Sequence, residues 1–196
     1  MNSKQKKEYF RRNNENKKSK LSNKGSITYL IEDSESVDLT GEDIMKICNG
    51  KVKVISYHQL ADVKSIEDLL SPHGAVVLLY ETKQNFGHYT ALFYDKNNDV
   101  EFFDSYGLKP DEELKYATYD NTPYLTNLLE KYKKKVLHNP VRLQQFIKDV
   151  NTCGRWTSLR IRMKDLTFSE FQKYFENLQF YNPDFYVSAL TFLYTY

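Results

Sequence analysis

A chain of 196 residues with 40% hydrophobic and 15% aromatic content is long enough to bury one core and short for two. No apolar run reaches the roughly 20 residues of a membrane span, and the charged N-terminus lacks the apolar segment of a secretory signal. Two cysteines, Cys48 and Cys153, do not make a disulfide scaffold and point to a reducing compartment. The net charge of +2 hides an asymmetry. Residues 1–24 carry nine Lys/Arg against Glu8 and Glu15, so a basic tail of +7 precedes a domain of −5 (residues 25–196). Such a tail reads as disordered or loosely helical and suits contact with nucleic acid, although a solvated leader with no fixed partner has the same composition.

Along the chain, Ser26–Ile31 reads as a short strand. Thr40 and Asp43 form a capping-box pair that opens a helix with Ile44, Ile47 and Cys48 on one face, closed by Asn49-Gly50. Cys48 is then a core residue. Lys51–Tyr57 alternates like a strand, and Ser65–Leu70 is a short helix stopped at Ser71-Pro72-His73-Gly74. Ala75–Tyr80 is a continuous apolar run of the kind found in buried strands. His88–Tyr94 and Val100–Asp104 form a hairpin across Lys96–Asp99, and Ser105–Pro110 leaves the sheet as a loop. A helix starts at Asn121-Thr122-Pro123 and runs through Tyr132. Val136–Phe146 reads as a strand bent at Pro140. Helices follow from Cys153 to Met163, Phe168 to Phe175 and Pro183 to Tyr194. The layout is α+β, a central antiparallel sheet flanked by helices.

The chemistry gathers around Asn151-Thr152-Cys153-Gly154-Arg155-Trp156. An N-cap oxygen from Asn151 or Thr152 would place Cys153 in the first turn of a helix, where free N–H groups and the dipole favour a thiolate. Gly154 leaves room for a substrate carbonyl to approach. A buried structural cysteine at a helix start fits the same residues. The hairpin brings His88 within about three residues of Asp104. On one face, the carboxylate would take one imidazole nitrogen and leave the other as a base. Asp104 could instead cap Tyr106 or Gly107. Gln144 or Gln145 could donate to an oxyanion, but adjacent strand residues face opposite ways, so only one of them can. The four histidines, His58, His73, His88 and His138, and the two cysteines show no zinc-ligand spacing, and no phosphate-binding glycine motif is present. No metal or cofactor is expected.

Gly87-His88-Tyr89, Phe102-Phe103-Asp104-Ser105-Tyr106-Gly107, Leu143-Gln144-Gln145 and Asn151-Thr152-Cys153-Gly154-Arg155-Trp156 occur in the order His, Asp, Gln, Cys. This set resembles the adenovirus protease and SUMO-protease superfamily of cysteine peptidases. It is most similar to the maturation proteases of virophages, large DNA viruses and polinton-type elements. The resemblance implies a papain-like, permuted fold of adenovirus-protease type, with Cys153 as nucleophile, His88 as base and acid, and Asp104 as its orienter. It favours Gln144 over Gln145 for the oxyanion hole, because Asn139–Gln144 resembles the viral strand that carries that residue. It further implies a viral cysteine endopeptidase acting on capsid or virion precursor proteins as a monomer, in the virion and the infected-cell cytoplasm. Tyr89 stands where SUMO proteases have a tryptophan lining the glycine tunnel. Deconjugation of ubiquitin-like modifiers and acetyl transfer on the same scaffold are the alternative activities of such a residue set.

Overall fold

The structure is a computed structural model that describes residues 26–117 and 121–195; the basic tail lies outside the described residues. The first element among the described residues is α1 (Ile27–Ser34), with the Ser26 hydroxyl accepting from the Tyr29 N–H. This corrects the strand expected over Ser26–Ile31. Ile27, Thr28 and Tyr29 favour strand locally, but strand preference is weak against a cap and tertiary packing, and here α1 packs against the last helix, α7 (Pro183–Phe192). Helix α2 (Gly41–Ile47) begins at the expected capping box, Thr40 and Asp43 exchanging both bonds. It ends at Asn49 and Gly50, both in the left-handed region (φ 54° and 70°).

Strand β1 (Lys53–Ser56) leads through a 3-10 turn (Tyr57–Asp62) to α3 (Ile66–Leu70). Then come β2 (Ala75–Lys83), β3 (Phe86–Tyr94) and β4 (Val100–Phe103). A second 3-10 turn (Glu112–Tyr116), α4 (Tyr124–Lys131) and β5 (Val136–His138) precede α5 (Cys153–Arg162), α6 (Phe168–Glu176) and α7. Pro123 caps α4 rather than standing inside it. The sheet order is β1-β2-β3-β4-β5. Only β2-β3-β4 is antiparallel; β1 runs parallel to β2 and β5 parallel to β4, so the sheet is mixed rather than antiparallel throughout. Both edge strands arrive through crossovers containing helices, which is what parallel pairing requires.

The sheet is covered on both sides, which is why β2 reads as an unbroken apolar run. Val77, Leu79, Tyr89, Ala91, Phe93 and Phe103 pack against α2, α5 and α6. Val76, Leu78, Leu92 and Phe102 face the first 3-10 turn, α3 and α4. Among the described residues no helix is long and apolar enough to cross a membrane.

Helix α5 is the central helix, and it is buried although its sequence is polar. Gly154 through Ile161 are all buried. Arg160, fully enclosed, makes a two-pronged contact with Glu101 on β4 at 2.8 and 2.7 Å. The same guanidinium donates to the carbonyls of Met163 and Leu166 and lies over the rings of Phe93 and Phe171. Every charge there has a partner, the condition for burying it. Glu101→Gln is therefore expected to destabilise the fold by about 3–5 kcal/mol, because it leaves a buried guanidinium without its counter-charge; urea unfolding measures the difference.

Candidate active site

The site stands where the open end of the β3–β4 hairpin meets the start of α5. Ala91 pairs with Phe103. Continuing that register puts Thr90 level with Asp104 and His88 one pleat further, on the same face. Gly87 makes this possible: a Cβ there would lie 1.9 Å from the Tyr80 carbonyl oxygen, so no other residue could precede His88 in this backbone.

Asp104 is fully buried. The strand has ended, and a side chain takes over the ladder. Asn139 accepts from the Asp104 N–H (2.8 Å) and donates to its carbonyl (2.6 Å). This is why β5 stops at His138, well short of the strand expected to run to Phe146. Asn139 turns its amide to Asp104, and Pro140 has no N–H to continue the pairing. The Asp104 Oδ1 accepts from His88 Nε2 at 3.1 Å and from the Tyr106 N–H at 2.7 Å. Capping the loop and pairing with the histidine are thus done by one oxygen.

His88 is buried, with Tyr106 stacked on its ring at 4.7 Å. Cys153 lines the same cavity as His88, near enough for its sulfur to act on the ring's charge. With Nε2 taken by Asp104, Nδ1 is the nitrogen left for sulfur. Burial opposes charge on the imidazole, but the hydrogen bonds and charges of Asp104 and Cys153 outweigh it and raise the His88 pKa well above the ordinary value. Cys153 is half-buried and lines a cavity of about 410 Å³ with His88 and Gln144. Cys48, by contrast, is core: its thiol sits 3.8 Å from the Ser158 carbonyl, and burial pushes it up to about 11.

Gln144 is buried in an irregular loop, not a strand. The N–H groups of Leu143 and Gln144 both donate to the Ser105 carbonyl, and the Ser105 hydroxyl donates to Gln144 Oε1 at 2.7 Å. Nε2 donates one hydrogen to the Val150 carbonyl, leaving its second hydrogen unassigned. Gln145 does not line the cavity; it contributes its backbone N–H to Asp184. Ser105, Asn139 and Asp184 were not legible as site residues. Ser105 follows Asp104 directly and Asn139 precedes a proline, but neither signal is specific.

Asp184 is the largest omission. Its side chain is buried at the start of α7. Oδ1 accepts from the Thr152 hydroxyl and from Trp156 Nε1 (2.8 Å), and Oδ2 from the Gln145 N–H (2.9 Å). The expected N-cap bond from Thr152 is consequently absent, its hydroxyl being spent on Asp184; nor does Asn151 supply one, since its side chain donates to the Ser36 carbonyl. Burial raises the Asp184 carboxyl, with the three donors pulling it down. Neighbouring Glu35 is pushed up to about 7, chiefly by burial and then by the charge of Asp184.

A metal could draw on His88, Asp104 and Glu113, whose ligand atoms lie within 4.8 Å of one another. His88 Nε2 is already committed to Asp104 at 3.1 Å, and the cluster as it stands serves the imidazole.

The fold and site define a mixed α/β protein in which a half-buried cysteine and a buried histidine line one cavity, with a fully buried carboxylate bonded to the histidine. No protein-family profile matches the sequence. The chain is 39% identical over 167 residues to the uncharacterized protein V9 of Sputnik virophage, spanning 80% of this chain and 95% of the relative; it belongs to the V9 family. Solved structures with partial likeness include the yeast Ulp1 protease domain in complex with Smt3, at a TM-score of 0.42 and 11% identity over 86% of this chain and 80% of that one. Another is the central domain of the uncharacterized Lpg1148 protein of Legionella pneumophila, at 0.36 and 18% over 68% and 77% respectively.

Asp184→Asn turns an amide NH₂ against one of the three donors. It is expected to cost about 1–3 kcal/mol of stability and to slow alkylation of Cys153, read by urea unfolding and by iodoacetamide labelling followed by intact mass.

Proposed function

We propose that the protein is a cysteine endopeptidase that cleaves capsid or other virion precursor proteins during particle maturation. The observation that carries this reading is the single imidazole backed by buried Asp104, with His88, Cys153 and the Gln144 amide lining one cavity. Asp104 fixes the tautomer with the proton on Nε2, so Nδ1 takes the thiol proton. The thiolate attacks the peptide carbonyl carbon, and the electron pair of the C=O moves onto oxygen. The second Nε2 hydrogen of Gln144 and the first-turn N–H groups of α5 stabilise that oxyanion. His88 returns the proton to the leaving amine as the C–N bond breaks. Water, deprotonated by the same ring, then hydrolyses the thioester and frees the acid and the thiol.

The cavity walls suit a polypeptide. Phe86, Tyr116 and Phe146 line it and remain exposed, offering apolar surface to an extended chain. A virophage relative supports a viral setting, and the capsid protein, as the most abundant virion component, is the natural first substrate to try.

Co-expression with the major capsid protein of the source virus, wild type beside Cys153→Ala, is the test. A discrete truncation found by intact mass only with wild type is expected. Its absence, while Cys153 remains reactive to iodoacetamide, would replace maturation with deconjugation or acyl transfer. Gln144→Ala is expected to lower turnover by about 10²–10³-fold, the cost of losing one oxyanion donor, and Gln145→Ala to leave it within a few fold; equal losses would contradict the assignment of Gln144.

A further inference from the structure

A second carboxylate lies beside the imidazole. Glu113 is only 6% exposed, and its Oε1 stands 4.0 Å from His88 Nε2. That oxygen has no hydrogen-bond partner among the described residues, nor does the other Asp104 oxygen, Oδ2. Burying an unpartnered carboxylate costs several kcal/mol unless it takes up a proton or an opposite charge stands nearby.

Glu113 is held where it is. It sits in the 3-10 turn Glu112–Tyr116, and the residue that precedes this turn, Asp111, takes the left-handed conformation (φ 66°). The Asp111 carboxylate accepts from the hydroxyls of Tyr57 and Tyr80 and from the Thr126 N–H. Those bonds tie the turn to the sheet and to α4. The groups around Glu113 are His88 from β3, Asp104 and Tyr106 from the loop after β4, and Glu112 and Lys115 from its own turn. Burial raises its carboxyl; His88 pulls it down, Asp104 pushes it up, and Lys115 and Glu112 oppose each other further out.

We propose that Glu113 is a positioning residue for the site, a second counter-charge that favours the imidazolium form of His88 beside the Cys153 thiolate. Asp104 sets tautomer and orientation through a hydrogen bond. Glu113 lies too far away to hydrogen-bond and acts through charge, which is little screened in an enclosed site. Its place in the chemistry rests on the reading of Cys153 as nucleophile; its effect on His88 does not.

The experiment is an NMR pH titration of the His88 ring in wild type, Glu113→Gln and Glu113→Asp, with iodoacetamide alkylation of Cys153 followed over the same range. In Glu113→Gln the ring is expected to lose its proton at lower pH, by about one unit or more, the shift an opposite charge at this distance produces. Alkylation near neutrality should slow in parallel, and Glu113→Asp should restore part of both. A His88 titration unchanged in Glu113→Gln would overturn the proposal even if alkylation slowed, since that pattern marks a role of shape alone. Should Glu113→Gln fail to fold, Glu113→Asp decides in the same way: a smaller downward shift supports the proposal and none overturns it. A shifted ring beside an inert wild-type thiol would uphold the role of Glu113 and sink the nucleophile.

Discussion

The carboxylate of Asp184 is the interaction on which the site depends. The parts of the site come from different places: His88 and Asp104 from a hairpin, Cys153 from a helix start, Gln144 from an irregular loop. Hairpin register relates the first two to each other, but nothing in local structure relates the helix start to the loop. Asp184 does, by accepting from Thr152, Trp156 and Gln145 at once. Two of these are the immediate neighbours of Cys153 and Gln144, and the third is one turn along α5. A buried carboxylate needs such donors, because without them its desolvation would cost several kcal/mol. That its carboxyl still sits above the ordinary range shows that the donors do not fully offset burial. Its charge in turn helps to raise the carboxyl of neighbouring Glu35.

A second economy is the use of side chains to finish what the sheet begins. Once β4 ends at Phe103, Asn139 pairs with both backbone groups of Asp104. The aspartate therefore keeps strand-like support on one side while its own side chain turns to His88. Ser105 plays a related part: its carbonyl accepts from two successive N–H groups of the Gln144 loop and its hydroxyl orients the Gln144 amide. The residue after Asp104 thus fixes the Gln144 amide, so the proposed orienter and the proposed oxyanion donor are coupled through a single peptide unit.

Much of this was legible in the sequence, and the rest was hidden for physical reasons. Apolar runs and turn residues located β2, β3 and β4, because the hydrophobic period is a direct imprint of two-sided burial. The spacing of His88 and Asp104 around one hairpin turn put them together, whereas Gly154, expected to leave room beside the sulfur, is buried against Leu39, Ile44 and Tyr89. The Thr40–Asp43 capping box is visible in the sequence because it is wholly local. What failed was non-local. Ser26–Ile31 carries strand-forming residues but is claimed by packing on α7. The edge strands look like any strand, and their parallel sense follows from crossovers. Val136–Phe146 alternates well enough for a strand, yet Asn139 diverts it. Asp184, in Asn182-Pro183-Asp184, looks like an ordinary acidic residue in a helix first turn; its real partners lie some thirty residues upstream. Glu113 sits in a run of acidic residues that reads as solvated surface, and only the fold buries it.

The position of Asp184 in the chain also has a bearing on time. Synthesis delivers the hairpin first, so His88 and Asp104 can pair early. Gln144 and Cys153 emerge later, and α7 later still. Until α7 docks, Thr152, Trp156 and Gln145 lack their common acceptor, and the cysteine and the glutamine are not held to the histidine. A growing chain therefore carries the thiol before the residue that ties its helix to the Gln144 loop has been made. Under the function proposed for Cys153, the order of the residues along the chain acts as a delay.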